Sequence, residues 1–388
     1  MKLLIVVGTR PEAIKMAPLI LALQDEPDVE LNVCVTGQHR EMLDRVLGLF
    51  GIVPDCNLAL MEPRQSLNGL AGRAIAALDR AYDQLAPERV LVHGDTTTAM
   101  AAAIAAFHRR IPVGHVEAGL RTYALDRPFP EEMNRRTIDV VSDLLFAPTP
   151  RARLNLEAEA LQGDILVTGN TGIDALEAIA SRLQREPRLR EEADASLPTV
   201  EDGRKLLLVT GHRRESFGRG FRNICAALAQ LALRDDLEIV YPVHLNPNVR
   251  GPVEAALSGS DNVHLLPPLD FLAFVRLMQR ADLILTDSGG IQEEAPSLGK
   301  PVLVMRDVTE RPEAVEAGKA LLVGTRAARI VREVGLLLDD ESARAQFGAT
   351  DNPYGDGRAS ARIADALLGR PFEEFGGVPR SAAVARFG

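Results

Sequence analysis

Short runs of Val, Ile and Leu alternate with longer amphipathic stretches from one end of this chain to the other. In the first half the apolar runs fall at 2–7, 30–36, 89–93, 112–116, 144–147 and 164–168. Between them, Ala and Leu recur at helical spacing over 12–24, 66–85 and 97–109. The second half repeats the scheme with runs at 205–210, 237–243, 262–266, 282–286, 301–305 and 320–323. Strands that are apolar on both faces and separated by helices belong in parallel sheets covered on both sides. The expected class is α/β, with two Rossmann-like doubly wound parallel-sheet domains, and 388 residues suit about two domains. A charged stretch from Arg185 to Gly203, interrupted by Pro187 and Pro198, reads as an exposed connection. The predicted division is 1–168, 169–357, and a helix and tail over 358–388 that suits either domain.

Composition narrows the function classes. No apolar run approaches the roughly 20 residues that span a bilayer, so no membrane insertion is expected. Met1 leads straight into a strand without a basic and then apolar leader, which makes the cytoplasm the expected compartment. Cys34, Cys56 and Cys225 lie far apart, are odd in number and lack metal-ligand spacing, so neither a disulfide framework nor a zinc site is expected. A net charge of -10 argues against a nucleic-acid partner but leaves room for a phosphorylated small molecule in one local cationic pocket.

In open α/β sheets ligands bind beyond the carboxyl ends of the strands. Gly8-Thr9-Arg10-Pro11-Glu12 follows the first run, with Lys15 one helical turn further on. Gly94-Asp95-Thr96 and Glu117-Ala118-Gly119 follow two others. The second half places Gly211-His212-Arg213-Arg214, His244 and Asp287-Ser288-Gly289-Gly290 at strand ends. Two such edges facing each other make a cleft. No complete G-x-G-x-x-G or Walker spacing follows any strand, and no His-Glu-x-x-His occurs, so NAD, P-loop chemistry and a metal are not expected.

Ser288, Gly289 and Gly290 open a helix, where bared backbone N–H groups suit a phosphate; read plainly, Ser288 is an N-cap before a tight turn. Pro296 leaves the shape of that helix open. Glu294 suits a ribose diol or a solvated face. Arg10 and Arg311 suit a phosphate, or ion pairs with their acidic neighbours such as Glu12. His212 sits among cations, which would lower its pKa. Asp95 and Glu117 stand just beyond buried strands, where an unpaired charge would be costly. Glu131 begins a helix in which Glu131/Arg135 and Glu132/Arg136 have ordinary i,i+4 spacing. Three acids converging on one cleft would supply general acid–base groups.

Several of these segments together resemble the non-hydrolysing UDP-N-acetylglucosamine 2-epimerases. They are Gly8-Thr9-Arg10-Pro11-Glu12-Ala13-Ile14-Lys15, His93-Gly94-Asp95-Thr96-Thr97-Thr98, His115-Val116-Glu117-Ala118-Gly119-Leu120-Arg121-Thr122 and Pro128-Phe129-Pro130-Glu131-Glu132-x-Asn134-Arg135. Gly211-His212-Arg213-Arg214-Glu215-Ser216-Phe217-Gly218, Asp287-Ser288-Gly289-Gly290-Ile291-Gln292-Glu293-Glu294, Thr309-Glu310-Arg311-Pro312-Glu313 and Asn352-Pro353-Tyr354-Gly355 continue the match. The resemblance implies a GT-B arrangement with a deep interdomain cleft and a C-terminal helix returning to the first domain. It implies reversible conversion of UDP-GlcNAc to UDP-ManNAc without cofactor or metal, through elimination of UDP, a 2-acetamidoglucal and re-addition. A homodimer and a supply role in cell-surface polysaccharide synthesis go with it.

Carried onto this chain, the resemblance makes Asp95, Glu117, Glu131 and His212 the catalytic candidates. Arg10, Lys15, Arg135, Phe274, Ser288, Gly289, Gly290, Glu294 and Arg311 become substrate-binding candidates, along with Asp95, Glu117 and His212. Gln38, Arg64, Gln65, Glu132, Arg214 and His244 suit a second, activating UDP-GlcNAc site. One departure is Gly172, where relatives often carry a larger apolar residue. The competing functions are a retaining GT-B glycosyltransferase, a hydrolysing epimerase, and a UDP-GlcNAc sensor without turnover.

Overall fold

The structure is a computed structural model that describes residues 1–37, 40–62, 65–213, 216–348, 351–377 and 379–380. The chain divides into two compact units, Met1–Ala175 with Tyr354–Gly388, and Leu176–Pro353. The first boundary falls inside the helix Thr171–Arg185.

Unit 1 holds a seven-stranded sheet: β1 (Lys2–Val7), β2 (Glu30–Val35), β3 (Cys56–Asn57), β4 (Arg89–His93), β5 (Val113–Val116), β6 (Leu144–Ala147) and β7 (Asp164–Val167). Its spatial order is β3-β2-β1-β4-β5-β6-β7 and every pairing is parallel. Unit 2 holds β8 (Lys205–Thr210), β9 (Leu237–Pro242), β10 (Val263–Leu266), β11 (Leu283–Thr286), β12 (Val302–Val304) and β13 (Ala320–Leu322). Their order is β10-β9-β8-β11-β12-β13, again all parallel. This is the doubly wound class expected from the sequence.

The reason lies in the central strands. Leu3 to Val7 and Leu206 to Val209 are almost wholly buried, as strands covered by helices on both faces must be. Ala99, Ala101, Ala102, Ala103, Ala105 and Ala106 let one helix lie close against the first sheet. In both sheets the strand order reverses beside the first strand, between β1 and β4 and between β8 and β11. Ligand sites form beyond the carboxyl ends of strands at such a reversal. The topology therefore selects the loops after β1, β4 and β5 in unit 1, and after β8, β11 and β12 in unit 2.

Returning chain completes unit 1. The Asp174 carboxylate accepts the backbone N–H groups of Ala359 and Ser360 at 3.2 and 2.6 Å, the opening turn of the helix Ala359–Leu367. Arg362 donates in two-pronged fashion to Asp356 at 2.6 and 2.7 Å, and to the Glu373 carbonyl at 2.8 Å. The sequence reading missed β3, and it missed that Cys34 and Cys56 stand opposite each other on β2 and β3. Among the described residues no helix is long and apolar enough to cross a membrane, and no group of His, Cys, Asp or Glu is placed to hold a metal ion.

Candidate active site

In unit 1 the loop after β1 must pass close to its neighbours. A Cβ at Gly8 would lie 2.9 Å from the Thr98 Cβ and 3.0 Å from the Thr36 hydroxyl, so only glycine fits without movement. Thr9 and Glu12 then form a capping box at the start of the helix Arg10–Gln24. Glu12 accepts N–H groups from Gly8 and Thr9 and the Thr96 hydroxyl, at 2.8, 2.5 and 2.7 Å. It is buried, and burial raises its pKa against those hydrogen bonds. Glu12 therefore builds the loop that presents Arg10.

Glu117 follows β5 with a left-handed backbone, φ 69°, a strained position for a side chain of this size. Lys15 donates to its carboxylate, and the His93 Nε2 lies 3.6 Å from it. Burial alone would raise the Glu117 pKa, but Lys15 and His93 outweigh it and hold the carboxyl well below the usual range. His93, the last residue of β4, was not among the candidates the sequence offered. It is buried, and among the described residues neither ring nitrogen has a hydrogen-bond partner. A Cβ at Gly172 lies 3.4 Å from the Lys15 Cγ and Cε, so this position borders the lysine stem.

Asp95 follows the neighbouring strand β4. Arg135 Nη2 donates to it at 2.5 Å, and the Asn134 amide donates to its backbone carbonyl at 2.9 Å. The spacing Glu131/Arg135 and Glu132/Arg136 had suggested helix-surface pairs. Instead Arg135 reaches Asp95, and Arg136 lies 3.4 Å from Glu159. Glu132 is fully buried and accepts the backbone N–H groups of Thr122 and Tyr123, both at 3.0 Å. Glu131 Oε2 is buried and has no hydrogen-bond partner among the described residues. Asp95 and Glu117 thus lie beyond the adjacent strands β4 and β5, paired to an arginine and a lysine, and Glu131, with a bare oxygen, opens the helix whose Asn134 and Arg135 reach Asp95.

Unit 2 inverts the theme. Asp287, fully buried after β11, accepts the backbone N–H groups of His212 and Arg213, both at 2.8 Å, and so shapes the loop after β8. The His212 ring stacks on His244 with centroids 5.3 Å apart and planes 14° apart. Burial lowers the His212 pKa, Asp287 opposes this, and His244 and Arg213 add to it. The direction agrees with the sequence reading, but burial is the leading cause.

Ser288 precedes the helix Gly289–Glu294 without making a side-chain capping bond. That helix is one short stretch continued by a 3-10 turn, Ala295–Leu298, as Pro296 suggested. Gly289 is dictated by Arg311: a Cβ there would lie 2.5 Å from the guanidinium carbon. Arg311 pairs with Glu293 at 2.5 Å and with Glu310 at 2.7 Å. Glu310 also receives Arg306 at 2.5 Å and Arg213 at 3.2 Å. Burial alone would raise Glu310, but Arg311, a backbone hydrogen bond, Arg306 and Arg213 outweigh it and bring the carboxyl down to about 2. The sequence reading offered Arg311 an ion pair with an acidic neighbour, and Glu310 supplies one, but that this acid gathers three arginines was not foreseen.

The other candidates are placed as follows. Phe274 is half-buried on the helix Phe271–Arg280. Gln65 accepts from Arg73 and from the Glu62 N–H, the latter at 3.3 Å. His244 is exposed and accepts the Asn246 N–H at 3.1 Å. Gln38, Arg64 and Arg214 lie outside the described residues.

Two Rossmann-like units, one with acids and the other with clustered arginines beyond the carboxyl ends of its strands, place this chain among the α/β proteins that bind ligands at such strand ends. The comparisons narrow the class. The family model for UDP-N-acetylglucosamine 2-epimerase matches residues 21–368. The Escherichia coli K12 UDP-N-acetylglucosamine 2-epimerase is 56% identical over 369 residues, 95% of this chain and 98% of that protein. A crystal structure of the Neisseria meningitidis UDP-GlcNAc 2-epimerase bound to UDP-GlcNAc superposes with TM-score 0.88 at 49% identity, covering 95% of this chain and 100% of that one. The Methanocaldococcus jannaschii enzyme, in complex with UDP-GlcNAc and UDP, gives TM-score 0.79 at 32% identity over 95% of this chain and 99% of that one. The chain belongs to the UDP-N-acetylglucosamine 2-epimerase family, a family of isomerases.

Proposed function

We propose that this protein interconverts UDP-GlcNAc and UDP-ManNAc by eliminating UDP, forming 2-acetamidoglucal, and adding UDP back after the C2 proton has been replaced on the other face. The observation that carries the reading is the state of Glu117. A buried, unprotonated carboxylate follows β5 within reach of Lys15 and His93, Asp95 follows the neighbouring strand tied to Arg135, and Glu131 has a bare buried oxygen, so the same strand ends carry the groups that proton exchange at a sugar needs.

The C2 hydrogen has no neighbouring carbonyl to acidify it, so departure of UDP from C1 must create the demand for its loss. Asp95, Glu117 and Glu131 are assigned to proton transfer at the sugar, with His212 assisting and Lys15 and Arg135 holding the acids. Arg10, Arg311, His212 and the N–H groups of Ser288, Gly289 and Gly290 are assigned to the diphosphate. There, positive groups lower the barrier by stabilising the charge that develops on the leaving group. Glu294 is assigned to the ribose and Phe274 to the uracil. The product would feed cell-surface polysaccharide synthesis, and a homodimer is the proposed assembly.

The test is incubation of the purified protein with UDP-GlcNAc in D2O without added cofactor. UDP-ManNAc carrying deuterium at C2 is the expected product. Free ManNAc would identify a hydrolase, and unchanged substrate despite binding would identify a sensor.

A further inference from the structure

We infer that His115, Asp139 and Arg121 are positioning residues, a buried polar strut that sets the mutual placement of Asp95, Glu117 and Glu131. The inference rests on the proton-transfer roles proposed for those three acids.

The strut is continuous. His115 sits on β5, two residues before Glu117, and is completely buried. Its Nε2 donates to the carbonyl of Gly94, the residue before Asp95, at 2.7 Å, and its Nδ1 is hydrogen-bonded with Asp139 Oδ1 at 2.6 Å. Both ring nitrogens are thus tied, one to a backbone carbonyl and one to a carboxylate, which fixes the orientation of the ring. Asp139 lies on the helix Glu131–Val141, which begins with Glu131 and also carries Arg135, the partner of Asp95. Its other oxygen pairs with Arg121 Nη2 at 2.7 Å. Arg121, four residues beyond Glu117, then forks onto Glu159 with two bonds of 2.9 Å. One chain of contacts therefore touches all three segments that bear the candidate acids.

Energetics favour a specifying role over a stabilising one. Taking charges out of water costs several kcal/mol each, and apolar side chains of similar volume often hold a core together equally well. What apolar side chains cannot do is fix a carbonyl and a helix at set distances from one strand. Proton transfer is sensitive to such placement: a misplacement of about 1 Å costs on the order of 100-fold in rate.

The experiment replaces Asp139 with Asn, which preserves shape and removes the charge shared by His115 and Arg121. Expected is a fall in kcat of about 100-fold, with KM for UDP-GlcNAc within about threefold, UDP affinity unchanged, and a melting curve that shows the protein folded. Arg121→Lys and Arg121→Gln form a second series, in which lysine restores part of the kcat lost with glutamine. An unchanged kcat, a rise in KM alone, or a loss that only tracks the folded fraction overturns the inference. A crystal structure of Asp139→Asn separates this inference from the proposed function. If the wild type does not epimerise, the proposed function fails, and a shifted Gly94–Asp95 segment still supports the strut. An unshifted segment overturns it.

Discussion

The two switch-point edges solve opposite electrostatic problems. In unit 1 two of the three acids are placed by cationic contacts: Lys15 and His93 at Glu117, Arg135 at Asp95. In unit 2 the cations are the groups to be placed, and an acid does the gathering: Glu310 collects Arg213, Arg306 and Arg311. Glu117, held ionised by Lys15 and His93, keeps an unprotonated carboxylate at the edge assigned to the sugar. Arginines held around one carboxylate keep donors in a fixed array, which suits an anionic ligand. The shared topology explains where the charges lie, and their inverted arrangement explains why the two edges are assigned different work.

If that contrast is right, neutralising the acid of unit 1 should damage chemistry and spare binding. Glu117→Gln is expected to lower kcat by about a thousandfold, the middle of the range for general acid–base groups. UDP affinity, read by titration calorimetry, should stay within about twofold, because the groups assigned to the diphosphate lie mainly in unit 2 and Glu117 is not among them. A loss of UDP affinity as large as the loss of kcat would erase the distinction.

The mirror experiment removes a cation from unit 2. Arg311→Ala should weaken UDP binding by roughly 10- to 100-fold, the loss of one charge-assisted hydrogen-bonding group at about 1.5–3 kcal/mol. Turnover of bound substrate should fall less than in Glu117→Gln. Equal falls in kcat would show that Arg311 acts mainly on the transition state.

Gly289→Ala asks whether the position of Arg311 matters as well as its charge. The new methyl group would lie 2.5 Å from the guanidinium carbon, so the arginine must move. The strain of overpacking is about 1–3 kcal/mol, and UDP affinity is expected to drop by about tenfold while all arginines remain. Unchanged affinity would mean that the guanidinium tolerates displacement.

The sequence showed the sheets more fully than the site. Each long strand is a run of Val, Ile and Leu, and the structure places its ends within one residue of that run. Cys56–Asn57 escaped because two residues carry no periodicity. Asp95, Glu117 and Arg311 were visible as charged residues just past strands or within a recurring motif. Their supports were not, because they come from far away along the chain: His115 meets Asp139 24 residues on, and Arg213 meets Glu310 97 residues on. Local spacing also misled. Glu131 and Arg135 have helix-pair spacing, yet a partner 40 residues away holds Arg135. His93 looked like an ordinary strand residue, and only the fold brings it to Glu117.

The smallest expected effect concerns the stability of the gathered arginines. Glu310 has its pKa depressed from 4.5 to about 2 in the folded protein. A carboxyl with a depressed folded value contributes stability above its unfolded pKa and loses it as pH falls through its folded one. Glu310→Gln should therefore melt lower than wild type at neutral pH, and the two curves should converge between about pH 4.5 and 2. The side chain is 31% exposed, so screening reduces the effect to about 1–2 kcal/mol. No counterpart is expected for Gln in place of an exposed acid such as Glu30, which is 61% exposed opposite Lys2. If the gap between wild type and Glu310→Gln stays constant down to pH 2, Glu310 is not the charge that holds the three arginines together. The inverted arrangement of unit 2 would then rest on Glu293 and the backbone instead.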